Sequence, residues 1–579
     1  PSDWNRGRNP GLEATEGSMD VAYRVGGGEP GYIAPDPTDL NTFYSGTNNG
    51  RYIDKYNRTL NYAREVNPYP WFYSGEPALD MVERWQWTFP ILFSPLDPNT
   101  LYTSSNRLWR TTDGGRTWDV LSPDLTRADP ATLGHSGGPI TGDMNGPEVY
   151  ATIFSVGPGK VDMDVIWTGS DDGLVHVTRD GGDSWTDVTP SDMPDFGRVS
   201  QIDASAVDAG RAYVSARLPL LDDFRPHIWK TDDYGASWTR IVDGIRDDAF
   251  VNAVREDPTR EGLLYAATNH GVYISYDDGA MWAELNPGLA DLPIVDLIVE
   301  EDALAIASHG RGFWVLDDIG PLRQAAPGRT DASIHLYQPA PAYRSADGAR
   351  LSWWLAAEPE SLMLEILDGD GSVIRTIEPR DPDAPRDRWS GASLTVQEGL
   401  TRFEWDLRTD PAATFPGMIL WGVRTMAPRV PPGSYTARLT ADGLTSETVI
   451  EVRANPWIEG ITVADMEAQY AFGREIQAKV HEANSAVIAI RRARAQVEER
   501  LEATDDADVR EAAHNWMQKA GAIEADIYQV RNRSGQDPLN FPIKVNNRLA
   551  NLLSMSERGD GAPNDGMREV FQIMVDELR

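Results

Sequence analysis

The sequence predicts a mainly β chain: a β-propeller, then an immunoglobulin/fibronectin-like β-sandwich, then a C-terminal α-helical bundle. Three observations carry that reading. A short acidic phrase ending in Trp recurs four times in the first half. Alternating strands joined by tight Gly turns follow over residues 332–453. Helical periodicity takes over from Thr462.

The recurring phrase reads TTDGGRTW (111–118), TRDGGDSW (178–185), TDDYGASW (231–238) and SYDDGAMW (275–282). Its pattern is Ser/Thr-x-Asp-x-Gly-x-Ser/Thr-Trp. Asp satisfies nearby backbone N–H groups in a tight turn, and Gly accepts positive φ. The closing Trp is a large apolar anchor. Each copy is therefore a hairpin tip, and the pattern matches the Asp-box, or BNR repeat, of β-propellers. Asp113, Asp180, Asp233 and Asp277, with Trp118, Trp185, Trp238 and Trp282, are read as structural. The fourth copy has Met281 where Ser or Thr is expected, so that turn is expected to be less well tied.

The box aspartates lie 67, 53 and 44 residues apart. A period of about 40–50 residues is that of propeller blades. A second phrase precedes the boxes: APDPTDLNTFYSG (34–46), SPLDPNTLYTS (94–104) and REDPTREGLLYAAT (255–268). Each is a strand end, a polar turn and an aromatic strand. Within residues 1–323, five full blades fall near 31–73, 89–121, 149–189, 199–242 and 249–286. A sixth, from Ile294 to Asp318, lacks a fourth strand. Residues 21–25 could supply it, or could end a blade begun on sequence that precedes Pro1. The ring is accordingly expected to be completed by N-terminal sequence or by another chain.

Composition excludes several classes. The chain has 579 residues and no Cys, so disulfides, thiolate chemistry and Cys-held metals are out. A net charge of −36 argues against nucleic acid and anionic lipid as partners. Only six of the 53 basic residues are Lys. No run of about 20 apolar residues is present.

After the propeller, residues 332–455 read as the sandwich, with hairpin turns at Asp368-Gly369-Asp370-Gly371 and Ala441-Asp442-Gly443. The Asp368/Asp370 pair could hold a structural Ca²⁺, but the rest of an EF-hand loop is missing and a plain turn is preferred. No other cofactor or metal is expected. Residues 460–579 read as the bundle. Its first helix buries a stripe of Met466, Tyr470, Ile476, Val480, Ala483, Val487 and Ile490. His481 and His514 on these helices are read as ordinary surface or core residues.

In a four-stranded meander, the first and third turns share one face, and the second turn shares the other with the connections between blades. The boxes are third turns, so ligands are expected on the opposite face. Second-turn candidates are Asn48, Asn49, Asn106, Arg225, Asn269, His270, His309 and Arg311, with Asp171, Asp172, Asp222 and Asp223 as the carboxylates that could act catalytically. Long connections add Arg84, Trp85 and Trp87 (loop 76–89) and His135 (loop 121–148). Loops of that length are functional or disordered. Asn-Gly and Asp-Gly are also ordinary hairpin residues.

The strings YRVGGGEPGY (23–32), NRLWRTTDGGRTW (106–118), GSDDGLVHVTRDGGDSW (169–185), SHGRGFWVLDDI (308–319) and DPLNFPIKVNNRLANLL (537–553) carry a family resemblance. From about residue 20 onward the chain resembles the C-terminal part of bacterial sortilin-like, BNR-repeat propeller proteins labelled "glycosyl hydrolase". The resemblance implies more propeller ahead of this point and an extracytoplasmic place: periplasmic, cell-surface or secreted. It does not by itself imply catalysis, since that label rests on the boxes.

Three classes follow. The preferred one is a non-catalytic binding protein for a protein or carbohydrate ligand. It merges into a scaffold subunit of a larger assembly, acting through protein–protein interaction. The alternative is a glycoside hydrolase with paired carboxylates on the second-turn face, which needs them about 5 Å or roughly 6.5–9.5 Å apart. A sialidase would need an arginine cluster and a catalytic Tyr, and no motif reports one. No G-x-S-x-G, P-loop or HExxH motif is present.

Overall fold

The computed structural model describes residues 4–6, 25–28, 31–46, 53–146, 148–286, 288–325, 333–345, 348–381, 389 and 391–579. The chain divides into two compact units, Pro1–Ile319 and Gly320–Arg579.

The first unit is built of small antiparallel sheets, six of them four-stranded among the described residues. Five are simple meanders in chain order. Their first and last strands are Ile33–Asp36 to Tyr62–Glu65, Ile91–Phe93 to Asp119–Val120, Ile153–Pro158 to Thr186–Asp187, Arg198–Ala204 to Thr239–Arg240, and Val251–Glu256 to Ala283–Glu284. In the fifth, the second and third strands (Leu264–Thr268 and Gly271–Ser275) are buried throughout, while Ala283–Glu284 is exposed. Continuous apolar runs such as LYAAT suit strands covered on both faces.

The sixth sheet runs Ile294–Val299, Ala303–Ser308, Gly312–Asp317. Its fourth strand is Trp4–Arg6, antiparallel to the third, with Trp4 opposite Leu316 and Arg6 opposite Trp314. Residues 21–25 were one candidate for that strand, the other reading being that they end an earlier blade; 21–24 lie outside the described residues. Three residues with no box behind them carry too little pattern to be read as a strand.

First strands pack on first strands: sheet three on four, four on five, five on six, and one on two. One cavity of about 480 Å³ touches all six sheets, through Tyr32, Leu92, Val156, Ile202, Arg255 and Ile298.

The four repeated turns explain how neighbouring sheets are held. Asp113 accepts from the Arg116 and Thr117 backbone N–H groups and from both the Thr111 and Thr117 hydroxyls. Backbone and hydroxyl donors from Thr117 hold its carboxyl down to about 2. Asp180 and Asp233 are tied by Ser184 and Ser237 in the same way. Asp277 accepts from Ser275 and the Met281 N–H but has no hydroxyl from position 281.

Each Trp then reaches back one sheet. Trp118 Nε1 donates to Val66 O, Trp185 to Leu121 O, Trp238 to Val188 O and Trp282 to Ile241 O, at 2.6–3.0 Å. Each acceptor directly follows a fourth strand. The turn glycine meets the same residue. A Cβ on Gly235 (φ 82°) would stand 2.6 Å from Val188 Cβ, and one on Gly279 (φ 86°) 2.5 Å from Ile241 Cδ1.

In the second unit, a three-stranded sheet and a five-stranded sheet enclose one apolar core that includes Leu351, Trp353, Leu364, Ile366, Leu439 and Ile450. The helical region comprises α1 (Gly320–Gln324), α2 (Val463–Glu502), α3 (Ala507–Ile527), α4 (Val545–Ser556) and α5 (Asp565–Leu578). Thr462 and Asp465 form a reciprocal capping box at the start of α2. Phe472, Ile476, Val480 and Val487 of α2 are buried with Leu549 and Leu553 of α4. The same core takes Ala412, Phe415, Met418, Leu420, Val423 and Met426 from the segment between strands. Buried Arg344 joins the two parts, donating to Val430 O and Gln469 Oε1 and pairing with Asp560.

Candidate functional site

Opposite the boxes, a cleft of about 610 Å³ opens over the third and fourth sheets. It is lined by Thr132, Tyr150, Asp171, Phe196, Arg198 and the Arg217–Leu221 run. Asp171 comes from the second turn of the third sheet, and Leu218–Leu221 from that of the fourth. Thr132, Tyr150 and Phe196 come from the connections that precede the third and fourth sheets.

The long connections are ordered because they build a small core of their own. Ala78, Met81, Leu133, Val149 and Ala151 are buried together, with Tyr150 packed against them. Arg84 ties the loops down. Its Nε donates to Ala151 O at 2.8 Å, its Nη2 to Asp124 at 2.6 Å, and its backbone N–H to Asn106 Oδ1. Asn106 also donates to Asp124. Trp85 is buried edge-on to Phe89. These three candidate residues are therefore spent on structure.

The cleft's chemistry centres on charge. Asp171 accepts from the Thr152 N–H (2.8 Å), the Thr152 hydroxyl (2.9 Å) and Gln86 Nε2 (3.4 Å). Burial, aided by the neighbouring Asp172 charge, nevertheless pushes it up to about 6. Asp172 turns the other way. It accepts from the Ser170 hydroxyl and from the Arg127 and Ala128 N–H groups. Burial raises it as well. Burial and both carboxylates push the Tyr150 phenol up to about 12, so it stays protonated at neutral pH.

Arg198 and Arg217 are direct cross-strand partners in the fourth sheet. Like charges placed so are unfavourable. Arg217 Nη1 donates to Asn252 Oδ1 at 2.7 Å. Arg198 stands over the Phe154 ring at 4.9 Å. Among the described residues neither makes an ion pair with a carboxylate. Burial and the Arg198 charge push Arg217 down to about 10. Apart from Thr132, the rest of the wall is carbon: Phe196, Leu218, Pro219, Leu220 and Leu221, with Leu220 84% exposed. Phe196 sits at φ 59°, a left-handed backbone that costs an aromatic residue about 1–3 kcal/mol and that clusters at functional sites.

The other candidates lie elsewhere. Asp222 is an exposed left-handed residue. Asp223 is gripped by Arg225 at 2.7 and 2.9 Å and by His227 at 3.1 Å; Arg225 above all holds it far below the usual carboxylate range. Asn269 uses its backbone N–H on Phe250 O, and His270 pairs with Asp291 at 2.8 Å. His309 and Arg311 are exposed on the sixth sheet's turn, and His135 is exposed on its loop. Asn48 and Asn49 lie outside the described residues. Asp368 accepts from the Asp370 and Ser372 N–H groups of its own turn. Among the described residues, no group of three His, Cys, Asp or Glu side chains could hold a metal.

Of the named residues, the cleft thus takes Asp171 alone. Arg198, Arg217, Tyr150 and Phe196 were missed, for they belong to no motif. Register gave no simple signal either: aligning SQIDA with AYVSA puts Val199 opposite Arg217, and a bulge between Val199 and Gln201 is what brings Arg198 there instead. The cavity on the box face was missed too. It is lined by Lys160, paired with Asp203 at 2.8 Å, by Arg255, which reaches Asp296 at 3.3 Å, and by Glu256 and Glu300.

No family model matches the chain, and no curated protein does. Among solved structures, it is similar to PorZ, a surface component of the type-IX secretion system of Porphyromonas gingivalis, at 14% identity over 73% of this chain and 51% of that one, with a TM-score of 0.33. An ancestral GH74 enzyme matches at 14% identity over 52% of this chain and 39% of its own, with a TM-score of 0.31. YCF48 bound to D1 peptide matches at 18% identity over 50% and 84%, with a TM-score of 0.26. The chain therefore spans about half the length of PorZ and about two fifths of the GH74 enzyme. At these values the likenesses carry no inference about ligand or activity. No helix among the described residues is long and apolar enough to cross a membrane.

Proposed function

We propose that this chain is an extracytoplasmic binding protein whose six sheets form a six-bladed propeller, followed in the chain by a β-sandwich and helices, and that it works without catalysis. The Asp-box turns clip blades together on one face, and ligand is taken on the other. A larger assembly would gain a rigid disc with an adjustable loop face.

One observation carries the reading. The cleft on the loop face is lined by a single carboxylate, Asp171, beside two arginines and an apolar wall. Glycoside hydrolysis needs two carboxyl groups across the scissile bond. Asp172 is adjacent in sequence but buried against Ser170 and the 127–128 backbone, and Asp223 is neutralised by Arg225. The hydrolase alternative keeps one point in its favour: Asp171 holds a proton to about pH 6, as a general acid would.

The test is a paired assay of the full chain. Peptide and glycan arrays should yield a ligand, and a panel of β-glucans and acidic glycosides should show no turnover. Turnover that disappears in Asp171→Ala would refute the binding reading in favour of the hydrolase.

A further inference from the structure

We propose that the cleft recognises one carboxylate borne on an aliphatic or aromatic body, with Arg198 and Arg217 gripping the carboxylate and the Leu218–Leu221 wall taking the body. This rests on the binding reading above and adds the ligand's chemistry to it.

The arginines are the first ground. The chain has 89 acidic residues against 53 basic ones, yet among the described residues neither Arg198 nor Arg217 lies within ion-pair distance of a carboxylate. The two face each other across one strand pair. Such an arrangement costs stability. It is retained where a ligand supplies the missing charge.

Preorganisation is the second ground. Asn252 holds one edge of Arg217 at 2.7 Å and is itself fixed by its Nδ2 donating to Ile294 O at 2.8 Å. A planar guanidinium held along one edge presents its other donors in a fork suited to a carboxylate. The Phe154 ring props Arg198 from behind.

Charge count sets the valence. Asp171 is the carboxylate that shares the lining, and its lone pairs are taken by Thr152 and Gln86. Two cations against one carboxylate leave a single positive charge, which calls for a monoanion. The wall sets the carrier. Leu218, Pro219, Leu220 and Leu221 offer carbon where a sugar ring would need hydroxyl partners, and Leu220 is 84% and Leu221 56% exposed. Exposed apolar side chains at a cleft mouth are placed to be covered.

Two sources carry this chemistry: a free carboxylic acid, or the terminal carboxylate of a polypeptide ending in an apolar residue. Calorimetry on the full chain with four probes separates them: octanoate, octanamide, and a short peptide ending in Leu with a free or an amidated C-terminus. The expected result is that each acid binds about tenfold or more tightly than its amide. Tighter binding of the peptide acid assigns the chain end; tighter binding of octanoate assigns the free acid.

Arg217→Gln should weaken the acid by a similar factor. Leu220→Asp should do the same. Its side chain is exposed, so it keeps the fold and decides the matter should Arg217→Gln fail to fold. Equal binding of acid and amide would overturn the inference, as would inorganic phosphate competing as well as the acids, or two folded variants that both bind as the parent does. A ligand found on the arrays that none of the four probes displaces would overturn the carboxylate assignment alone; arrays that find no ligand would overturn the binding reading with it.

Discussion

Asp171→Asn should make the first unit more stable at alkaline pH and leave it unchanged in acid. The side chain is 1% exposed, and burial raises its carboxyl from 3.8 to about 6. The sign follows from linkage. The folded state binds this proton more tightly than the unfolded state, so the group's contribution is fully present below about pH 4 and is lost as pH rises through about 6. A shift of about two units corresponds to roughly 3 kcal/mol of penalty for the charged form. Asn keeps the acceptor facing the Thr152 N–H and can offer its amide to the Thr152 hydroxyl, losing the long 3.4 Å bond from Gln86 Nε2 while the charge goes. Urea unfolding of parent and variant, followed by Trp fluorescence in the transition assigned to the first unit, reads the difference. The variant's advantage should be about 2–3 kcal/mol near pH 8 and vanish near pH 4. A difference that does not change with pH, or a variant less stable than the parent near pH 8, would show that Asp171 is not held as a raised, buried carboxyl.

Three further outcomes test the architecture. Gly235→Ala should cost about 2–4 kcal/mol in urea unfolding, combining a left-handed alanine with a 2.6 Å approach to Val188 Cβ; a neutral result would mean that the turn does not clip the sheets. Met281→Thr should raise the unfolding free energy by about 0.5–1 kcal/mol, by giving Asp277 the hydroxyl that Asp113, Asp180 and Asp233 each receive; a lower value would refute the comparison between the turns. Arg344→Met should cost about 3–5 kcal/mol in the second unit, because it strands Asp560, 4% exposed, without its cation; a calorimetric midpoint unchanged from the parent would refute that.

The repeated turns were legible because each is local. An Asp reaching four residues along its own chain, a Gly at positive φ and a Trp that follows at once all sit within eight letters. The partner each turn clips was not legible. Val66, Leu121, Val188 and Ile241 lie 41–64 residues upstream of their tryptophans, and nothing in a Val or an Ile announces that it follows a fourth strand. The same reasoning accounts for Trp4–Arg6: its partners Trp314–Leu316 lie more than 300 residues away, beyond any local window. Helices α2 to α5 were readable from periodicity, whereas the share of their core supplied by Phe415, Met418 and Leu420 was hidden in a segment whose apolar residues follow no period.

The site was the least legible part, and the reason is physical. Turn residues such as Asn106, Asp223 and His270 look functional because they are polar and sit beside Gly or Pro, yet each is consumed by a neighbour: Arg84 and Asp124, Arg225 and His227, or Asp291. A polar residue that is already satisfied in the fold has little left for a ligand. Arg198 and Arg217 have no carboxylate partner among the described residues, and they lie at strand ends, where sequence reading assigns core or filler. Unspent charge is a property of pairs, visible only once register and burial are known. In a chain carrying −36, two opposed arginines without a carboxylate between them are a stronger pointer to a ligand than any of the acidic turns.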